Sequence, residues 1–168
     1  MVDLTLRVLD AWYNEPSVGS DRPKLLSKLA VLELCGWLEG EFDRMALVAE
    51  AGRLNDPVWV KDKVIRFNNG FNYGDHWRPM LAAIVGEIFV RRVEVQIELS
   101  APGDLDRLKS SLGALWKIRC SFAHADMTAN VAAQQVFDAP SWSINQHRVL
   151  KKLLARYEQE MLAVLAVI

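Results

Sequence analysis

Cysteine is scarce in this chain. Cys35 and Cys120 are its two thiols in 168 residues, too few for a disulfide scaffold. Both fall in stretches that read as helix among apolar neighbours, which predicts reduced, buried thiols and a cytoplasmic protein. Histidine is nearly as rare, at three residues. His76 and His147 stand alone, and no cluster of zinc ligands surrounds His124, so no zinc site and no other metal is expected. Charge of one sign is also lacking: 20 Lys and Arg against 21 Asp and Glu leave a formal net charge of −1. That balance argues against a broad basic surface for duplex DNA or anionic lipid, while a small nucleic-acid cleft needs only local positive charge. The N-terminal run M-V-D-L-T-L-R-V-L-D is broken by charges, so neither a signal peptide nor a membrane span is expected there. The chain carries no Gly-rich phosphate loop, no G-x-S-x-G elbow and no dinucleotide fingerprint, and nothing in it asks for a cofactor. Internal repeats, low-complexity tracts and linkers are absent too.

What the chain does contain is core-forming material. Hydrophobic residues make up 51% and tryptophan occurs six times, enough for one domain around one sizeable core. Periodicity predicts a short helix over Val2–Asn14, closed by Glu15-Pro16, and a long one from about Pro23 to about Gly52. Gly36 and Gly40 lie four apart in the long helix, either as an approach for another helix or as two tolerated glycines. A third helix is expected over Pro57–Phe67, ended by the turn-rich N-N-G-F-N-Y-G-D. Asp75 is expected to cap the next one, with Pro79 near its first turn. Val90–Leu99 alternates like a strand, but a lone strand has no pairing partner elsewhere in the chain, so helix is the expectation. Ala101–Asp104 reads as a turn, Met127–Pro140 as a loop with one short element at most, and Ser141 as the cap of a final helix. The expected architecture is an all-α, antiparallel helical bundle of about five to six helices in a single domain.

Within that bundle the stretch Leu112–Asp126 (L-G-A-L-W-K-I-R-C-S-F-A-H-A-D) stands apart. Leu105, Leu108, Leu112 and Leu115 form an apolar stripe spaced by three or four residues. Continuing the stripe lands on Arg119 and then Phe122. A guanidinium on a core-facing stripe requires an anion. His124, five residues on, is a side chain that exchanges a proton near neutral pH. The residues between and after them (Cys120, Ser121, Ala123, Ala125) are small and leave space. Two plainer assignments stand beside the functional one: Arg119 paired with a core carboxylate, and His124 at a helix end. Glu33 is a candidate partner, because its helical neighbours Leu26, Leu29, Ala30, Gly36, Trp37 and Gly40 predict a partly buried carboxylate. That carboxylate would face either Arg119 or a dimer partner. Trp77, Trp116 and Trp142 fit core or interface aromatics better than base-stacking platforms.

The R-x-x-x-x-H of Arg119–His124 on the penultimate helix resembles that of the HEPN family, and more closely its RiboL-PSP-HEPN group. Two further segments carry the resemblance in the same order: L-A-V-L-E-L-C-G-W-L-E (Leu29–Glu39) and N-Y-G-D-H-W-R-P-M-L-A-A-I-V-G (Asn72–Gly86). The similarity spans roughly Leu25 to Asp126. It implies a helical bundle that forms a homodimer with two motif copies around a shared active-site cleft. It further implies a metal-independent endoribonuclease acting as a toxin or in antiviral defence, with an antitoxin protein as a further implied partner. Arg119 and His124 then map onto the motif's catalytic pair. One departure bears on activity: the residue after the arginine is commonly polar in the family, often asparagine, and here is Cys120. Either Ser121 supplies that polar contact or the chain is a weaker catalyst; some HEPN domains bind RNA or nucleotides without cutting.

The side-chain chemistry agrees with an RNase on its own terms. RNA carries its own nucleophile in the 2′-hydroxyl, so a proton acceptor and a charge stabiliser suffice. His124 suits acid–base transfer, and Arg119 suits bidentate phosphate binding in the transition state. The expected products are a 2′,3′-cyclic phosphate and a 5′-hydroxyl. Two rivals from other classes remain at this stage: a non-catalytic module for RNA or nucleotide, and a structural bundle that partners an antitoxin.

Overall fold

The computed structural model describes residues 1–16, 21–51, 53, 55–124 and 138–167, with side chains of 55–124 described as far as Phe122. All regular structure among these residues is helical. The α-helices are α1 (Val2–Tyr13), α2 (Arg22–Ala51), α3 (Pro57–Trp59), α4 (Arg78–Val85), α5 (Glu87–Ser100), α6 (Asp104–His124) and α7 (Pro140–Leu165). The all-α expectation therefore holds, with more helices than the five to six anticipated. The surplus has local causes. Helix α3 is a single turn that continues as a π segment (Val60–Val64) and a 3₁₀ turn (Ile65–Phe67). Gly86, at φ +91°, separates α4 from α5 in a backbone conformation that favours glycine. No described helix is long and apolar enough to cross a membrane.

Val90–Leu99 is helical as expected, inside α5. Phe89, Val90, Val93 and Ile97 are its buried residues, a spacing of three and four that a helix places on one side. Two caps differ from expectation. Asn72, not Asp75, opens the segment before α4: its side chain accepts from the Gly74 and Asp75 amides. Asp75 itself lies inside the π turn Tyr73–Trp77 that follows. Ser141 does not cap α7, because the helix already begins at Pro140, whose fixed φ and missing N–H suit a first helical position. The loop expected over Met127–Pro140 falls mostly on residues 127–137, outside those described.

The chain divides into two compact units, and α2, α6 and α7 each contribute to both. The first comprises Met1–Trp37 and Ala114–Val149. Its apolar centre includes Leu6, Leu9, Leu26 and Ala30, with Val2, Tyr13 and Ile144 packed against them. His147 is buried there, edge-on to Trp37 with ring centres 4.5 Å apart, and its Nδ1 lies 3.9 Å from the Asp3 carboxylate.

The second unit comprises Leu38–Gly113 and Leu150–Ile168. Trp77 is fully buried and stacks on Phe42 at 4.7 Å. Tyr157 meets the Trp77 ring edge-on at 5.8 Å. A polar network closes over this aromatic centre: the Tyr73 hydroxyl donates to Glu94 at 2.8 Å, and Arg78 Nε donates to the same oxygen at 2.9 Å. Arg78 also grips Glu87 through both terminal nitrogens. Burial pushes both tyrosine hydroxyls far up from their ordinary range, so they act as neutral donors and acceptors. A bidentate pair, Arg44 with Glu158 at 2.7 and 2.8 Å, ties α2 to α7 in this unit.

Candidate functional site

The site lies in the first unit, on the C-terminal part of α6. This helix begins cleanly: Gly103 at φ +84° turns the chain, and Asp104 and Asp106 place acid in the first turn, where the helix dipole favours it. The buried stripe is Leu105, Leu108, Leu112, Leu115 and Phe122. Arg119 falls in the middle of that stripe by periodicity, yet it is half-buried and not enclosed. Its guanidinium carbon sits 5.1 Å from the centre of the Trp116 ring. The arginine stem thus covers apolar surface while the cation is held against an aromatic face.

Glu33 does not have the environment expected of it. It is exposed on α2, whose buried residues nearby are Ala30, Val31, Leu34, Cys35 and Leu38. Of the neighbours that suggested burial, Leu26 and Ala30 are buried but Leu29, Gly36 and Gly40 are exposed, so Glu33 lies on the outer side of that face. Glu33 is therefore not a buried carboxylate within the chain. Cys35 is buried as expected, whereas Cys120 is half-buried; both are free thiols. Ser121 Oγ donates to the Ile118 carbonyl at 2.7 Å, a back-bond within its own helix. His124 is the last residue of α6; its side chain lies outside those described. Five residues separate it from Arg119, about 140° around a helix of 3.6 residues per turn, so the two positions diverge on α6. Among the described residues no group of His, Cys, Asp or Glu is arranged to hold a metal ion.

A cavity of about 200 Å³ borders this stretch, lined by Ser27, Val31, Ile118, Ser121, Phe122, Asp138 and Trp142. Viewed down α6, the order around the axis is Arg119, Phe122, Ile118, Ser121 and His124, in steps of about 40–60°. The cavity's three α6 residues therefore occupy the wider arc between the two motif positions. Ser27 is 2% exposed and its hydroxyl has no hydrogen-bond partner. Neither Ser27 nor Asp138 stands out in the sequence, and Trp142 reads there as a core or interface aromatic in preference to a base-stacking platform. A signal for Ser27 is nonetheless present: it occupies the helical register of Val31, Leu34 and Leu38, all apolar and buried.

No family model, curated protein or solved structure matches the chain.

Proposed function

We propose that the chain is a metal-independent endoribonuclease of HEPN type, a toxin or antiviral-defence enzyme. The observation that carries this reading is the setting of Arg119: a half-buried guanidinium held against Trp116, five residues before a histidine that ends the same helix. A planar cation held in place is suited to a phosphodiester, since its fork matches two phosphate oxygens and stabilises the charge that builds as the 2′-oxygen attacks. His124 takes the 2′-hydroxyl proton or delivers one to the leaving 5′-oxygen. The phosphorus–5′-oxygen bond breaks as the phosphorus–2′-oxygen bond forms, leaving a cyclic phosphate and a 5′-hydroxyl.

Arg119 and His124 diverge by about 140° on α6. A homodimer whose two-fold axis runs beside this helix supplies an arginine and a histidine from different copies to one cleft. The substrate is RNA in the cytoplasm, and an antitoxin is the natural protein partner. The test is expression in a bacterial host. Growth arrest that His124→Ala relieves, with the variant folded and equally abundant, supports the reading; arrest unchanged in the variant contradicts it.

One observation favours a second reading, a module that binds RNA or nucleotide without cutting. The position after the arginine is Cys120, and the neighbouring Ser121 hydroxyl is committed to the Ile118 carbonyl. RNA bound with no change in its length, by wild type and His124→Ala alike, selects that reading.

A further inference from the structure

The cavity beside the motif has a composition that selects its ligand. Phe122 and Trp142 contribute aromatic surface, and Val31 and Ile118 contribute aliphatic surface. Among the described residues its polar lining comes from Ser27, Ser121 and the Asp138 carboxylate, and none of them is a cation. The Ser121 hydroxyl spends its proton on the Ile118 carbonyl and so has only lone pairs to offer. The Asp138 carboxylate is exposed and accepts without donating. The Ser27 hydroxyl is buried and without a hydrogen-bond partner, so it presents no surface to a ligand. An anion is therefore disfavoured, and a flat molecule with N–H donors on its edge is favoured. Size narrows the choice further. About 200 Å³ is several times the volume of one water but below the range of pockets that enclose drug-sized ligands. It suits one ring system.

We propose that this cavity is a nucleobase subsite that takes guanine. Guanine is the RNA base whose Watson–Crick edge presents two adjacent N–H donors, N1–H and the 2-amino group, in the geometry that both oxygens of one carboxylate accept. Asp138 accepts that pair, and Phe122 and Trp142 cover the ring. The α6 residues that line the cavity lie on the arc between the Arg119 and His124 positions. That the base belongs to an RNA substrate rests on the ribonuclease reading above; the binding of the base itself does not.

The experiment has two arms. In the first, guanosine, inosine, adenosine, cytidine and uridine are titrated onto the full chain by ligand-observed NMR. Guanosine is expected to bind best, and inosine, which lacks the 2-amino group, roughly tenfold more weakly, as befits loss of one arm of a bidentate contact. Asp138→Asn alters an exposed side chain and should abolish the guanosine preference while leaving the circular dichroism unchanged. Trp142→Ala should weaken guanosine by roughly tenfold or more. No nucleoside binding at about 10 mM, far weaker than an ordinary small-ligand site, overturns the proposal, as does a guanosine affinity that Asp138→Asn leaves intact. In the second arm the cut sites in RNA are mapped. Guanosine bound with RNA left uncut keeps the subsite and removes the ribonuclease reading. RNA cut without regard to guanosine, in a protein that binds none, keeps the ribonuclease and removes the subsite.

Discussion

Replacing Ser27 by alanine should stabilise the ligand-free protein, a reversal of the usual effect of changing a buried residue. Ser27 is 2% exposed and its hydroxyl has no hydrogen-bond partner. Leaving such a group desolvated costs about 1–3 kcal/mol. Ser27→Ala removes the hydroxyl, keeps Cβ and adds no bulk, so little opposes that gain. Alanine is also the better helix former by roughly 0.5 kcal/mol, and that part must be subtracted. Ser110→Ala measures it, because Ser110 is an exposed serine inside α6. The difference between the two variants isolates desolvation and should be about 1 kcal/mol or more in favour of Ser27→Ala. For a chain of this size each kcal/mol moves the melting temperature by about 2–4 °C. Thermal melts followed by circular dichroism suffice. A Ser27→Ala protein that melts no higher than Ser110→Ala would show that the hydroxyl is satisfied in the folded state.

Gly70→Ala should destabilise by about 1–3 kcal/mol, because an added Cβ would lie 2.6–2.8 Å from three atoms of the His76 ring. Denaturant melts should show the double variant Gly70→Ala/His76→Ala recovering part of the loss, and an undiminished loss would locate the strain elsewhere. The hydrogen bond from Arg44 holds the Glu158 carboxyl below its ordinary value of 4.5. A depressed acid stabilises the fold above that unfolded-state value and loses the contribution as pH falls through the folded one. Glu158→Gln should therefore flatten stability against pH below about 4.5, and an unchanged acid limb in melts from pH 5 to 2 would refute it. Arg119→Lys should lower RNA cleavage by roughly tenfold or more, since an ammonium lacks both the planar fork and its stacking on Trp116; equal single-turnover rates would remove Arg119 from the mechanism.

How far the sequence discloses this protein depends on what each residue's position reveals. The helices α1, α2 and α7 are legible because their apolar residues recur at three and four. Val90–Leu99 was ambiguous only by its alternation, and the lack of any strand to pair with decided it correctly. Caps were less legible where candidates crowd together. The run from Asn68 to Asp75 offers several side chains able to accept an amide, and geometry chose Asn72. At α7 the proline preceding Ser141 had already begun the helix. Glu33, expected to be partly buried, is exposed within the chain for a different reason. Leucines occupy more than one face of α2, and a wheel of apolar neighbours does not say which face meets the core. Arg119 was found because it breaks a stripe, but its half-buried place against Trp116 depends on the reach of a long side chain, which periodicity does not encode. The cavity was beyond reach altogether. It joins α2, α6 and the start of α7 through residues far apart in sequence, and a serine or an aspartate says nothing of such a meeting until the chain is folded.

The central claim is that Arg119 and His124 cut RNA without a metal, and the fragment ends test it most directly. Purified protein is incubated with total RNA in excess EDTA, and the ends of any products are identified by their response to kinase and phosphatase. The account predicts 2′,3′-cyclic phosphate and 5′-hydroxyl ends from the wild type, with no fragments from a His124→Ala protein of unchanged circular dichroism. Fragments bearing 5′-phosphate ends, cleavage that stops with EDTA and returns with magnesium, or equal cutting by His124→Ala would each contradict it.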